Sequence, residues 1–200
     1  MFRKLSNSEL NRPDLETFKA APKRPVVLVL DNIRSQHNIG SAFRSADAFA
    51  VEKIWLCGIC AVPPTAEIHK SALGAEFSVA WEYGEDTLSV VERLRADGYT
   101  IVSVEQAEGA VQLQDFSLER GPGGAAAVLP GERPCEPGGS GCAKDSAARY
   151  ALVFGNEVAG VRQDVVNASD LCLEIPQSGT KHSLNVSVAV GVVLWSLLHP

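Results

Sequence analysis

The sequence predicts an α/β protein: a mostly parallel six-stranded sheet with helices on both faces. Three observations carry this. Short apolar runs such as 26–30 and 150–154 do not alternate with polar residues, as is typical of strands covered on both sides. Between such runs lie segments whose apolar residues recur at three- and four-residue spacing, the pattern of amphipathic helices. The two patterns alternate along the chain, which is the signature of parallel strands joined by crossover helices.

Two hundred residues suffice for one domain with a sizeable core. A hydrophobic fraction of 46% and a charged fraction of 21% are those of a globular protein. Taken in order, residues 1–24 read as an arm with one short helix near 8–19. The arm holds Arg3, Lys4, Arg12, Lys19, Lys23 and Arg24 against Glu9, Asp14 and Glu16, a net charge of +3. The whole chain carries −6, so residues 25–200 carry −9. That balance argues against nucleic-acid binding through bulk charge and leaves local phosphate contact to the arm. The first strand follows at 26–30, and a polar loop over 31–38 opens a helix expected at 39–49. In that helix Ile39, Ala42, Phe43, Ala46 and Phe49 share one face, with Arg44 and Asp47 off it. Asn38 reads locally as the helix cap.

The second strand is expected at 53–57. Pro63 and Pro64 then break the chain, and a short helix covers 65–73. A third strand is placed at 77–81, a helix at 87–96 ended by Asp97-Gly98, and a fourth strand at 99–104. Residues 111–116 are an edge strand or a loop. Residues 121–148, rich in Gly and Pro, read as a flexible insertion. A fifth strand at 150–154 runs into the glycine-flanked loop Gly155-Asn156-Glu157-Val158-Ala159-Gly160. A short helix near 162–167 and a sixth strand at 171–175 follow. The chain then bends at Pro176 and Gly179 and reaches Ser183-Leu184-Asn185. From about 182 to 198 it is apolar nearly all round. Local alternation there mimics a strand, but the run is too long for one, so a helix buried on several sides is expected.

The predicted site lies at the carboxyl ends of the strands, where open α/β sheets bind ligands. Three loops there carry polar side chains: Asn38 with Arg44, Asn156 with Glu157, and Ser183 with Asn185. Together they form a site able to grip a phosphate or a hydroxyl. No GxGxxG follows the first strand, so a Rossmann-type nucleotide enzyme is disfavoured. Neither a GKS/T phosphate loop nor a GxSxG elbow is present. His37, His69, His182 and His199 show no metal spacing, and no metal is expected. Cys57-Gly58-Ile59-Cys60 is a lone CxxC after a strand. Cys57 and Cys172 read as strand residues packed as small hydrophobes, and Cys135 and Cys142 as reduced and exposed. Neither a secretory leader nor a membrane span is evident in the sequence, which places the protein in the cytoplasm by default.

The three loops resemble the three motifs of the SPOUT superfamily of RNA methyltransferases, TrmH (SpoU) branch. The first lies in Asn38-Ile39-Gly40-Ser41-Ala42-Phe43-Arg44-Ser45-Ala46-Asp47. The second is Leu152-Val153-Phe154-Gly155-Asn156-Glu157-Val158-Ala159-Gly160-Val161. The third is Ile175-Pro176-Gln177-Ser178-Gly179 with Ser183-Leu184-Asn185-Val186-Ser187-Val188-Ala189. The resemblance covers about residues 25–198 apart from the insertion. It implies a ribose 2′-O-methyltransferase using S-adenosylmethionine and a deep trefoil knot in the C-terminal part. It implies a cofactor pocket from Val104, Phe154, Gly155, Asn156, Ile175 and Leu184. It also implies catalytic roles for Arg44, Asn38, Glu157, Ser183 and Asn185, with Asn38 and Glu157 orienting Arg44 and the loops. The family is homodimeric, each site being completed by the partner's first motif, with the final helix and Trp195 as a seam. The substrate expected is RNA, with tRNA favoured over rRNA because of the short basic arm. The competing reading is a non-catalytic RNA-binding or ribosome-assembly factor on the same scaffold.

Overall fold

The computed structural model describes residues 2–118 and 148–198. Of the insertion expected at 121–148, all but Ala148 lies outside those residues, as do Cys135, Cys142 and His199. Among the described residues no helix is long and apolar enough to cross a membrane.

Among the described residues the sheet has seven strands rather than six, all parallel: β1 (Arg24–Asp31), β2 (Val51–Cys57), β3 (Ala80–Gly84), β4 (Tyr99–Val104), β5 (Val111–Gln112), β6 (Arg149–Phe154) and β7 (Leu171–Glu174). Their order is β3-β2-β1-β6-β4-β7-β5. The seventh strand is β5, a two-residue edge pairing Val111 with Leu173 and Gln112 with Glu174. So short a strand has no period to read, and pairing alone defines it.

The helices are α1 (Leu15–Ala20), α2 (Gln36–Ala48), α3 (Ala66–Ala72), α4 (Ala75–Ser78), α5 (Thr87–Ala96), α6 (Gln163–Asn167) and α7 (Val186–Leu198). They cover both sheet faces, as alternation along β1 requires. Val26, Leu28 and Leu30 point into a core with residues of α2, α3, α4 and α7. Val27 and Val29 point into a second core with Val90, Val91 and Leu94 of α5 and Val165 of α6. In the arm, a single 3-10 turn at Asn7–Leu10 and the six-residue α1 replace the one helix expected over 8–19. Asn11 in the left-handed region and the Asp14 cap separate them.

Three further expectations are corrected. The helix expected at 39–49 begins at Gln36, because Ser35 rather than Asn38 is the cap: its hydroxyl accepts from Asn38 N at 3.3 Å. The third strand begins at Ala80, not 77. Leu73 and Gly74 adopt left-handed backbone and restart the chain as the one-turn α4, which leaves Phe77 56% exposed. The final helix begins at Val186, not 182. Asn185 caps it, its side-chain oxygen accepting from Ser187 N at 2.8 Å. In the single chain that helix is not buried on every side. Val188, Val192 and Trp195, at helical spacing, are 50%, 39% and 62% exposed.

Candidate functional site

Strand order places the site. From β1 the chain proceeds through β2 to β3 on one side; β6, β4, β7 and β5 lie on the other. The loop after β1 leads to α2 on one face, and the loop after β6 leads to α6 on the opposite face. The loops after β1 and β6 meet at this switch, and the site opens beside it, toward β4 and β7. At this end of the sheet, a cleft of about 470 Å³ is lined by residues following β4, β6 and β7 together with the start of α7.

The loop after β6 is a tight closed turn. Asn156 and Gly160 exchange backbone hydrogen bonds at 2.9 and 3.0 Å. The Asn156 side-chain oxygen accepts from Val158 N and Ala159 N, and its amide donates to Asn32 O at 2.7 Å. Gly155 is obligatory: a Cβ there would lie 2.0 Å from Gly160 C and Val161 N. Gly160 has φ +69, which disfavours other residues.

This turn presents Glu157 to the loop after β1. Its carboxylate accepts from Arg34 N and Ser35 N, each at 3.1 Å, and from the Asn38 amide at 3.0 Å. Burial pushes its pKa up, but the hydrogen bonds from Arg34, Asn38 and Ser35 outweigh this and hold it below the usual glutamate range. Asn38, only 7% exposed, then accepts from the Asn185 amide at 3.1 Å. A polar chain, Glu157–Asn38–Asn185, thus links all three motif loops.

Nine of the residues singled out from the sequence line the cleft: Val104, Phe154, Gly155, Asn156, Glu157, Ile175, Ser183, Leu184 and Asn185. Asn38 stands behind the wall, tied to two of them. Arg44 does not line the cleft; it is exposed on α2, off the buried face. Glu157 and Asn38 hold each other and the loop backbone, the loop-orienting part of their expected role, and neither touches Arg44 in the same chain. Sequence reasoning missed Glu105 and Gln106, which also line the cleft. The available signal was position, since they directly follow β4 at its carboxyl end. Gln106 donates from its amide to His182 O at 2.8 Å, pinning the third loop across the cleft.

The CxxC is packed rather than poised. Cys57 and Cys60 are buried, and burial pushes their thiols to about 12 and about 11. Cys60 donates to Leu30 O and accepts from Ile33 N. No group of three or more possible metal ligands occurs among the described residues.

The family described as SpoU rRNA Methylase matches residues 25–195. The chain is 30% identical over 170 residues to the 23S rRNA (guanosine-2'-O-)-methyltransferase RlmB of Nitrosomonas europaea, covering 85% of this chain and 54% of that one. To the protein of the same name from Vibrio cholerae it is 27% identical over 187 residues, covering 94% and 64%. The chain therefore spans between about half and two thirds of the length of these curated relatives. Among solved structures, the AdoMet-bound rRNA methyltransferase from Sinorhizobium meliloti superposes with a TM-score of 0.68 at 23% identity, covering 90% of this chain and 58% of that one. The A. aeolicus TrmH/SpoU tRNA modifying enzyme gives 0.67 at 22% identity, covering 91% and 78%. At such identities the structural matches speak for the fold. The family match, spanning well over half of the chain and all three motif loops, shows that this protein belongs to the SpoU rRNA methylase family.

Proposed function

We propose that this chain is an S-adenosylmethionine-dependent RNA ribose 2′-O-methyltransferase that works as a homodimer. The observation that carries the reading is the cleft in which the second and third motif loops converge, braced by the first through the Glu157–Asn38–Asn185 chain. The names of the curated relatives support the reaction, and the AdoMet-bound relative supports the cofactor. The cleft fits such a group: its volume is that of a small-molecule site. The absent side chain at Gly155 also lets the closed turn pack against backbone.

S-adenosylmethionine bound there supplies an electrophilic methyl group. The chain supplies the rest. Backbone groups near Gly155, Ile175 and Leu184 suit a purine edge, and Ser183 and Asn185 set the third loop around the donor. The ribose hydroxyl is a weak nucleophile, so positioning dominates the barrier; as its oxygen bonds the methyl carbon, the carbon–sulfur bond would break to leave a neutral thioether and the hydroxyl proton would pass to solvent water. Arg44 binds the adjacent phosphate and stabilises charge growing on the oxygen. An ordinary guanidinium is a poor base but a good partner for such anions.

Arg44 stands outside its own chain's cleft and has no hydrogen-bond or ion-pair partner among the described residues. Its site is therefore assigned to the partner's cleft. The exposed stripe Val188, Val192 and Trp195 on α7 supplies an apolar seam for that pairing. We also read the C-terminal crossovers as a deep trefoil knot. Support comes from β7 lying between β4 and β5, and from the tie between Gln106 and His182.

The test is tritium transfer from labelled S-adenosylmethionine into total tRNA and into ribosomal RNA, run separately. The relatives named above include both rRNA and tRNA enzymes, so both are offered. Arg44→Ala should abolish transfer and leave cofactor binding intact, as should its inactive counterpart Ser183→Ala for transfer alone. Mixed dimers of the two variants should regain activity, because one site then has both an intact cleft and an intact Arg44. Undiminished transfer in Arg44→Ala would remove the assignment, and no rescue on mixing would remove the shared site.

A further inference from the structure

Glu105 lines the cleft, yet the motif roles leave it without a task. It is the first residue beyond β4, and its main chain is fixed on both sides. Its N–H donates to Leu173 O at 2.9 Å, and its carbonyl accepts from Cys172 Sγ at 3.4 Å. Its side chain is equally held: Oε1 accepts from Gln106 N at 2.8 Å and Oε2 from Val161 N at 2.9 Å. The second motif is shaped around this carboxylate. A Cβ on Gly160 would lie 2.2 Å from Oε2, so a side chain there would expel it.

An ionised carboxylate offers about four acceptor positions. Two are taken among the described residues, one on each oxygen, and the two that remain match the two donors of a vicinal diol. Hydroxyl donors to a carboxylate make strong, charge-assisted bonds. An acidic side chain near the carboxyl end of a strand is the arrangement by which doubly wound sheets take a ribose. The opposite wall is held in place by Gln106 through His182 O.

We propose that Glu105 is the specificity-determining acceptor for the ribose diol of the adenosyl moiety bound in this cleft. This rests on the reading that the cleft takes S-adenosylmethionine. The alternative role for Glu105 is to brace Gly160 and Val161 only, and the two make different predictions.

The experiment is competition against labelled S-adenosylmethionine by adenosine, 2′-deoxyadenosine, 3′-deoxyadenosine and adenine, on the full chain and on Glu105→Ala and Glu105→Gln. On the unaltered protein, adenosine should compete about tenfold to a hundredfold better than either deoxy form, the loss expected for a bond to a charged acceptor. In Glu105→Ala the three nucleosides should become equal, with adenine unaffected. Glu105→Gln, keeping one oxygen, should fall between. Equal competition by adenosine and its deoxy forms on the unaltered protein overturns the proposal without recourse to any variant. So does a Glu105→Ala protein that weakens all four competitors alike while keeping the ratio, since that is bracing alone. If labelled S-adenosylmethionine does not bind the unaltered protein at all, the reading of the cleft itself falls, and the inference with it.

Discussion

Asn38→Asp is the sharpest probe of the polar chain, because it changes one atom type and no volume. The Asn38 amide donates to Glu157 at 3.0 Å, while its carbonyl oxygen accepts from Asn185 at 3.1 Å. Aspartate keeps the second contact and turns the first into two carboxylate oxygens facing each other. Two like charges about 4 Å apart repel by about 4 kcal/mol at an effective dielectric near 20. Glu157 faces solvent on one side, and the pair can relieve itself by retaining a proton, so the net cost near neutral pH should be about 2–3 kcal/mol.

The pH dependence then discriminates. In the unaltered protein the native pKa of Glu157 is lowered, so its contribution is present above the ordinary glutamate range and is lost as pH falls through the lowered value. In Asn38→Asp the pair's upper pKa is raised. Its penalty is absent while a proton bridges the two oxygens and appears as pH rises through that raised value. Urea denaturation between about pH 8 and about pH 5 should therefore show the deficit of the variant shrinking as the solution is acidified. A variant as stable as the parent at the alkaline end, or a deficit that does not change with pH, would refute the claim that Glu157 is an ionised acceptor of the Asn38 amide.

Two further outcomes follow from close approaches. Gly155→Ala should cost about 3 kcal/mol or more and abolish cofactor binding, because the new Cβ meets backbone atoms at 2.0 Å that cannot rotate away; calorimetry with S-adenosylmethionine and thermal melting check it. Gly40→Ala should cost about 1–3 kcal/mol, since its Cβ would meet Ser71 Oγ at 2.1 Å and Ile68 O at 2.4 Å where α2 crosses α3. Adding Ser71→Gly should fail to restore the melting temperature, because the Ile68 carbonyl is backbone.

The sequence by itself determined the strands that have a long apolar run. β1 and β6 sit within two residues of their expected bounds, because burial on both faces demands such runs and little else does. It also determined which loops carry the polar side chains, since strand ends can be counted. It did not determine β5, whose two residues become a strand only by pairing with β7. Nor did it place the start of α7, where the length of the apolar run marks a helix but not its first residue, which the Asn185 cap, held by Asn38, sets. The roles of Asn38 and Glu157 were legible as residue types but not as partners. Their contact joins positions 119 residues apart, and only the insertion of β6 beside β1 brings them together. Glu105 was hidden for the same reason: its neighbours Val161 and Leu173 come from later crossovers, so the carboxylate acquires its setting only when the strands on either side are in place.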